Sequence, residues 1–573
     1  MAIKKRGRGF YLLFLFSILG GSVLAQENSF LLRGTGPKYW IAYEYCYQTN
    51  SPIPEDRWKA NIDWVEANFK SFGYDMISND GWIEAAQTVN GHGYITKYND
   101  QWEHGFEYWS KYLKNKDMKM GVYYNPMWMT KAAFEKNVPV QGTKYKAQDI
   151  AGSISFNEPL YWVDTDKEGA KEWIQGYVEY FIGLGATYLR IDFLENYERN
   201  YGTTKYIQAL EWIKEAAAGR IFLSLVMPNC FEHCKTELEY GDMIRIDDDC
   251  FEGGWDFVSN RRRGEQRPIW PQYGNAFDGF LGFADIGGRG QMILDGDFMR
   301  LNTMANDRER VFMVSLMVMG GSALAIADQF DTLGESAWVY QNRELLELNE
   351  LGFVGKPLSY DHSDIAKSSV WAGQLPNGDW VIGLFNREEN GQVRAIDFKR
   401  DLGLDGNVKN IRDLWSHTDL GSLEGGYSVE LAPHESKVIR IEANNLKYEA
   451  EFASMIRGSQ RGVGSFGHSG LGYVQGFKAV GDKVLWAVEV PKKGNYTLSI
   501  NYGNSSTQTT LTDLSVNGKL LKEPISIPGL GKKNEWAEIQ RSIPLNAGTN
   551  YISIGNYKGN GGDFKLDFIE ILE

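Results

Sequence analysis

Cysteine is scarce in this chain: Cys46, Cys230, Cys234 and Cys250 are four in 573 residues. So few exclude a disulfide-dense scaffold, although an exported chain could oxidise one or two pairs, with a connectivity that is not readable. Positive charge is also short. Against 74 Asp and Glu stand 60 Lys and Arg, for a formal charge of −14, and Lys4, Lys5, Arg6 and Arg8 lie in the first 25 residues with no acid among them. That balance argues against nucleic acid or anionic lipid as the main partner. Apolar runs long enough to cross a bilayer are missing, since the stretch from about Phe10 to Leu19 falls short of the ~20 residues a helical span needs. No P-loop and no GxGxxG follows a strand, which leaves nucleotide and phosphate enzymes without support. With 43% hydrophobic and 23% charged residues, disorder, collagen and coiled coil are excluded as well.

What is present begins with a basic segment, the short apolar run, and Val23 and Ala25 ahead of Gln26. These read as a signal peptide over residues 1–25 and predict export to the periplasm or beyond. From Trp40 to about Asp328, β-branched or aromatic runs alternate with amphipathic stretches. Trp173, Ile174, Tyr177, Val178, Phe181 and Ile182 fall on one helical face ahead of a strand at Ala186–Asp192, and Tyr206, Leu210 and Ile213 do the same ahead of Arg220–Val226. Further strands are expected near Trp40–Tyr45, Tyr74–Ser78, Met118–Tyr124, Met243–Asp247, Gly282–Ile286 and Ala323–Asp328. Eight such units predict an α/β fold, a (β/α)8 TIM barrel over residues 26–350. Short strands and the hairpin signal Leu375-Pro-Asn-Gly-Asp379 then predict an antiparallel β-sandwich over 351–443. After the polar joint Ala443-Asn-Asn445, a second β-sandwich is expected over 446–573.

Catalytic groups of a barrel cluster where its strands end. Here those ends carry Trp40 and Tyr43, Asn79-Asp80-Gly81-Trp82, Tyr123 and Asn125, Arg190 and Asp192, Asn229, Arg245 with Asp247, Asp248 and Asp249, and Asp285. Carboxylates and indoles at one mouth suit a sugar, whose ring stacks on aromatic faces and whose hydroxyls need polar partners. Glycoside hydrolysis needs two carboxyl groups, and Asp192 with one of Asp247 to Asp249 forms the natural pair. Arg190, two residues ahead of Asp192 in an extended strand, is expected to share its side and hold it ionised. Cys230-Phe-Glu-His-Cys234 brings thiols and an imidazole together, but only one ligand spacing fits and no second pair follows, so the segment reads as structural.

At these positions the sequence resembles glycoside hydrolase family 27, the α-galactosidase and α-N-acetylgalactosaminidase group, over about Gly36 to Ile441. Gly73-Tyr-Asp-Met-Ile-Ser-Asn-Asp-Gly-Trp82, Met118-Lys-Met-Gly-Val-Tyr123, Tyr188-Leu-Arg-Ile-Asp192 and Met243-Ile-Arg-Ile-Asp-Asp-Asp249 are similar to the family's segments. The resemblance implies Asp192 as nucleophile and Asp249, four residues after Arg245, as acid/base. It implies sugar contacts from Trp40, Asn79, Asp80, Trp82, Tyr123, Arg190 and Arg245. Asn79 stands where the family has an acid, and Met227-Pro-Asn-Cys230 departs from the family's recognition pattern. The leading expectation is a retaining, exo-acting α-galactosidase. The alternatives are an α-1,6-glucan (dextran) hydrolase of the isomaltodextranase type and, from another class, a non-catalytic glycan-binding protein.

The last segment resembles carbohydrate-binding module families 6 and 35 at Tyr448-Glu-Ala-Glu451, Gly470-Leu-Gly-Tyr-Val474 and Gly561-Gly-Asp-Phe-Lys-Leu-Asp-Phe-Ile-Glu570. That resemblance implies a structural Ca²⁺ on Glu449, Glu451 and Asp567. No cofactor is expected for catalysis. Trp536 and Tyr502 are weak candidates for sugar contact in this module.

Overall fold

The structure is a computed structural model that describes residues 32–81, 86–155, 160–404, 408–442 and 446–572. The expected signal peptide, Trp82 and the joint at 443–445 lie outside the described residues.

Eight parallel strands form the first domain: β1 (Lys38–Ile41), β2 (Met76–Ser78), β3 (Lys119–Tyr123), β4 (Ala186–Ile191), β5 (Phe222–Leu225), β6 (Met243–Arg245), β7 (Ile293–Asp295) and β8 (Leu324–Ile326). They pair in sequence order, and β1 pairs with β8. Between β7 and β8 the gap is bridged just past β7: the Met299 N–H donates to Ala325 O at 2.7 Å, and the Ala327 N–H donates to Met299 O at 2.9 Å. The result is a (β/α)8 barrel.

The helices form where the apolar period predicts. In α1 (Ala170–Gly183) the buried residues include Trp173, Ile174, Tyr177, Val178 and Phe181, with Ile182 partly buried at the edge. In α2 (Thr203–Ala217) Tyr206, Leu210 and Ile213 face the core, and the helix stops where Ala218 turns left-handed at φ 45°. The two helices pack side by side, with α1 against β4, as in a βα arrangement that covers a parallel sheet.

One expected strand is corrected. Gly282–Ile286 is not the seventh barrel strand; residues Ala276–Phe283 form a helix, and β7 lies ten residues further on. The Asn275 side chain accepts a hydrogen bond from the Asp278 N–H and starts the helix. Its glycines, which make the segment look strand-like, serve close packing: a Cβ on Gly282 would meet the Tyr273 hydroxyl at 2.0 Å, and one on Gly279 the Ile246 carbonyl at 2.9 Å. Asp285 accordingly leaves the barrel mouth and pairs with His233 at 2.8 Å.

The second domain is a six-stranded antiparallel sheet, with the pair Gln392–Asp397 and Gly426–Leu431 against it. The hairpin joins Val370–Gln374 to Trp380–Phe385, with the Leu375 N–H on Asp379 O at 2.8 Å and Gly378 at φ 88°. This sheet is tied to the barrel by Arg387 on Asp278 at 2.7 Å and by the Trp415 indole N–H on Ser315 Oγ at 2.8 Å. The C-terminal domain is a sandwich of two antiparallel sheets with its own apolar core, including Val474, Trp486, Leu498, Ile500 and Ile569. Tyr502 belongs to that core and is buried, which removes it as a sugar contact.

Trp173 is fully buried, and its indole N–H donates to Trp128 O at 3.1 Å. Trp173→Ala should therefore destabilise the barrel by about 3–5 kcal/mol. Chemical unfolding followed by circular dichroism checks this, and an unchanged midpoint would refute the packing described for α1.

Candidate active site

The end of β4 delivers Asp192, whose carboxylate is held on both oxygens. Oδ1 accepts the Phe193 N–H at 2.6 Å, which requires Phe193 at a left-handed φ of 59°. Oδ2 accepts the hydroxyl of Tyr123, the last residue of β3, at 2.8 Å. Asn125 donates to the Asp192 main-chain carbonyl at 2.7 Å and fixes the turn itself. Burial and the nearby Asp249 push Asp192 up to about 6, against the opposing pull of Arg190 and these two hydrogen bonds.

At the end of β6 the run of three aspartates is divided by geometry. Asp247 is fully buried, 3.5 Å from Arg245 Nε, and neither of its oxygens receives a hydrogen bond. Asp248 turns outward to Arg261 at 3.1 Å. Asp249 pairs with Arg245 Nη2 at 2.7 Å and keeps a quarter of its side chain (25%) exposed. Of the three it alone combines an arginine partner on this strand at hydrogen-bonding distance with an open face.

Arg190 and Arg245 sit beneath these acids. Arg190 reaches Asp295 at 3.0 Å, Asp297 at 3.2 Å and Asp80 at 3.5 Å, while Arg245 reaches Asp297 at 2.6 Å. Arg190 favours the ionised form of Asp192 as expected, but its guanidinium is divided among three other carboxylates, and burial outweighs its effect. Burial likewise pushes Asp80 up to about 8, against the pull of Arg190, and raises Asp297 despite both arginines. Asp295 and Asp297 were not singled out in the sequence because the seventh strand was placed too early. Their signal is the short apolar run Met292-Ile-Leu followed by Asp-Gly-Asp297.

Two expected sugar contacts have other occupations. Trp40 is fully buried and edge-on to Trp58 at 5.6 Å, with its N–H on Asp328 O at 2.9 Å, so it offers no ring face to a sugar. The Asn79 carboxamide accepts the Tyr123 N–H at 2.9 Å and donates to Tyr123 O at 3.4 Å. A carboxylate could accept the first of these but not donate the second, which explains an amide here. Tyr43, itself buried, lies among the charges of Asp249, Asp80 and Asp297 and stacks with the half-buried Tyr47 at 5.9 Å. Tyr47 leads on to the exposed Phe251 at 6.5 Å. Sequence reading named Tyr43 but not the other two, which are brought together only by folding.

In the C-terminal domain Glu449, Glu451 and Asp567 are all buried. Ser469 donates its hydroxyl to Glu449 and its N–H to Asp567, while the Leu471 and Gly472 N–H groups serve Glu451. Glu449 Oε2 and Glu451 Oε2 are buried without a donor, and burial together with Glu449 pushes Asp567 up to about 8. Hard oxygens left unsatisfied fit a calcium ion, although Lys447 also lies 2.9 Å from Glu449. Trp536 is half-buried beside Tyr473 at 5.5 Å.

A barrel with paired acids at its mouth, followed by two β-sandwiches, defines a glycoside hydrolase. Residues 366–441 match the alpha galactosidase C-terminal beta sandwich domain, and residues 446–572 match the carbohydrate binding module of family 35. An isomalto-dextranase of Arthrobacter globiformis is 41% identical over 96% of this chain and 92% of its own length. The structure of Arthrobacter globiformis T6 isomalto-dextranase complexed with panose superposes with a TM-score of 0.91, covering 95% of this chain and 98% of that one. The fold is shared at 21% identity and a TM-score of 0.60 with a family 27 β-L-arabinopyranosidase from Geobacillus stearothermophilus, over 73% of this chain and 99% of that one. The chain belongs to glycoside hydrolase family 27 together with that isomalto-dextranase, and it carries a family 35 carbohydrate-binding module. The α-galactosidase expectation is overturned by the same finding, since the 41% relative matched along nearly the whole chain is an isomalto-dextranase. Among the described residues no helix is long and apolar enough to cross a membrane.

Removing Arg245 would leave Asp247 buried without its counter-charge and Asp297 with Arg190 alone. Arg245→Met should therefore lower stability by about 3–5 kcal/mol at neutral pH. The loss should shrink as the pH falls and those acids take up protons. Unfolding measured across pH checks both statements, and a loss independent of pH would refute the second.

Proposed function

We propose that the protein is a retaining α-1,6-glucan hydrolase of the isomalto-dextranase type. The observation that carries this reading is the 41% identity to such an enzyme along nearly the whole chain. In the proposed reaction an Asp192 oxygen attacks the anomeric carbon, and the glycosidic oxygen leaves with the proton of Asp249. Water then attacks the glycosyl-enzyme, giving its proton to Asp249, and the sugar departs with its configuration retained. Tyr123 orients the nucleophile, and Arg245 orients the acid. The excess of carboxylates over guanidiniums at this mouth suits the positive charge that builds on an oxocarbenium-like sugar.

Asp192→Asn should abolish release of sugar from dextran while the circular dichroism spectrum stays native. Wild-type turnover in that variant would end the assignment of the nucleophile, and cleavage of an α-galactoside but not of dextran would end the substrate reading. Because Asp192 must be ionised to attack, kcat/KM should fall as the pH drops through about 6. Tyr123→Phe removes a hydrogen bond to the ionised form, so its acid limb should move to higher pH. A pH–rate profile with an unmoved limb would remove Tyr123 from this role.

For the C-terminal module we propose a structural Ca²⁺ held by Glu449, Glu451 and Asp567, and delivery of the barrel to its polysaccharide by glycan binding. Export through the N-terminal signal is part of the same reading, as an enzyme acting on a polymer outside the cytoplasm requires. Adding EGTA should lower the melting temperature of the wild type but not that of Glu451→Gln; equal melting with and without chelator in the wild type would exclude the ion.

A further inference from the structure

In the sequence, the segment that follows β5 shows one ligand spacing only, Cys230 to Cys234. Folding adds a third donor. Cys230, Cys234 and Glu237 bring two thiol sulfurs and a carboxylate oxygen within 4.8 Å of one another, and all three residues are buried. Glu237 is 2% exposed; its Oε1 accepts the Tyr206 hydroxyl at 2.8 Å, while its Oε2 is buried with no hydrogen-bond partner. The convergence depends on an unusual backbone. Cys230, Glu232, His233 and Cys234 all take left-handed φ values between 50° and 61°, a conformation that side chains other than glycine adopt at a cost. That turn brings the two sulfurs together and sends the His233 ring away to Asp285 at 2.8 Å.

We propose that Cys230, Cys234 and Glu237 form a binding site for a thiophilic divalent cation, Zn²⁺ by the chemistry of its donors. Two thiolates favour zinc over the hard cations that all-oxygen sites select, and a carboxylate is a common third ligand. On binding, each thiol gives up its proton to solvent as its sulfur bonds to the metal. The unpartnered Glu237 oxygen gains the counter-charge that the protein itself does not supply. The site stands next to the sugar pocket. Asn229, which precedes Cys230, donates to Glu198 at 2.8 Å and accepts the Trp270 N–H at 3.3 Å, and the Trp270 ring lies 5.7 Å from the Arg245 guanidinium. A cation here braces the loop that positions Trp270 against Arg245.

The test uses the full chain, purified under reductant, stripped with chelator and titrated with Co²⁺. One equivalent should produce a thiolate-to-cobalt charge-transfer band, Zn²⁺ should displace it, and Zn²⁺ should raise the melting temperature. Cys234→Ser should lose the band, and Glu237→Gln should bind at least about tenfold more weakly. Absence of the band in the reduced, folded wild type overturns the proposal without recourse to a variant. So does a chain isolated without reductant that is two hydrogens lighter, with Cys230 and Cys234 in one disulfide-linked peptide.

Discussion

Two arginines buried at one end of the barrel hold the site together. Arg190 on β4 and Arg245 on β6 lie side by side, and between them they reach Asp80, Asp247, Asp249, Asp295 and Asp297 from three different strand ends. Charges this deep persist only when paired, so the strands carrying the acids are drawn into one register with the strands carrying the bases. The acids outnumber the bases. Burial first, and that imbalance second, hold Asp80, Asp192 and Asp297 above the ordinary carboxylate range, as suits a mouth where one acid attacks and another gives a proton.

Around this centre the remaining structure acts as a frame. Asn79 stitches the end of β2 to Tyr123 on β3, and Tyr123 in turn holds Asp192. A residue that looks like a sugar contact in the sequence thus acts on the Asp192 carboxylate through one backbone position. Trp40 is similar: it stands at a strand end, yet its indole closes the core against Trp58 and Asp328. Tyr43, Tyr47 and Phe251 instead form a run of stacked rings beside the acids.

The three domains differ in how much of them was legible. The β3, α1–β4 and α2–β5 units were readable because an unbroken apolar period ends at a polar strand terminus. β7 was not, because the preceding helix is rich in glycines needed for contact with Tyr273 and Ile246 and so looks like a strand. With that strand misplaced, Asp295 and Asp297 disappeared from view, and Asp285 took their place. The substrate could not be read from residues either: Asn79 hinted at a departure from galactose, but its bonds run to the backbone.

The sequence by itself determined the barrel followed by two sandwiches, because local periodicity marks their elements, and its motifs carried the resemblance to glycoside hydrolase family 27. Only the tertiary structure decided which acids the arginines hold, which aromatics stand beside the acids and that Glu237 joins Cys230 and Cys234. Those are contacts between side chains brought close by packing and by left-handed turns, and neither leaves a periodic trace along the chain.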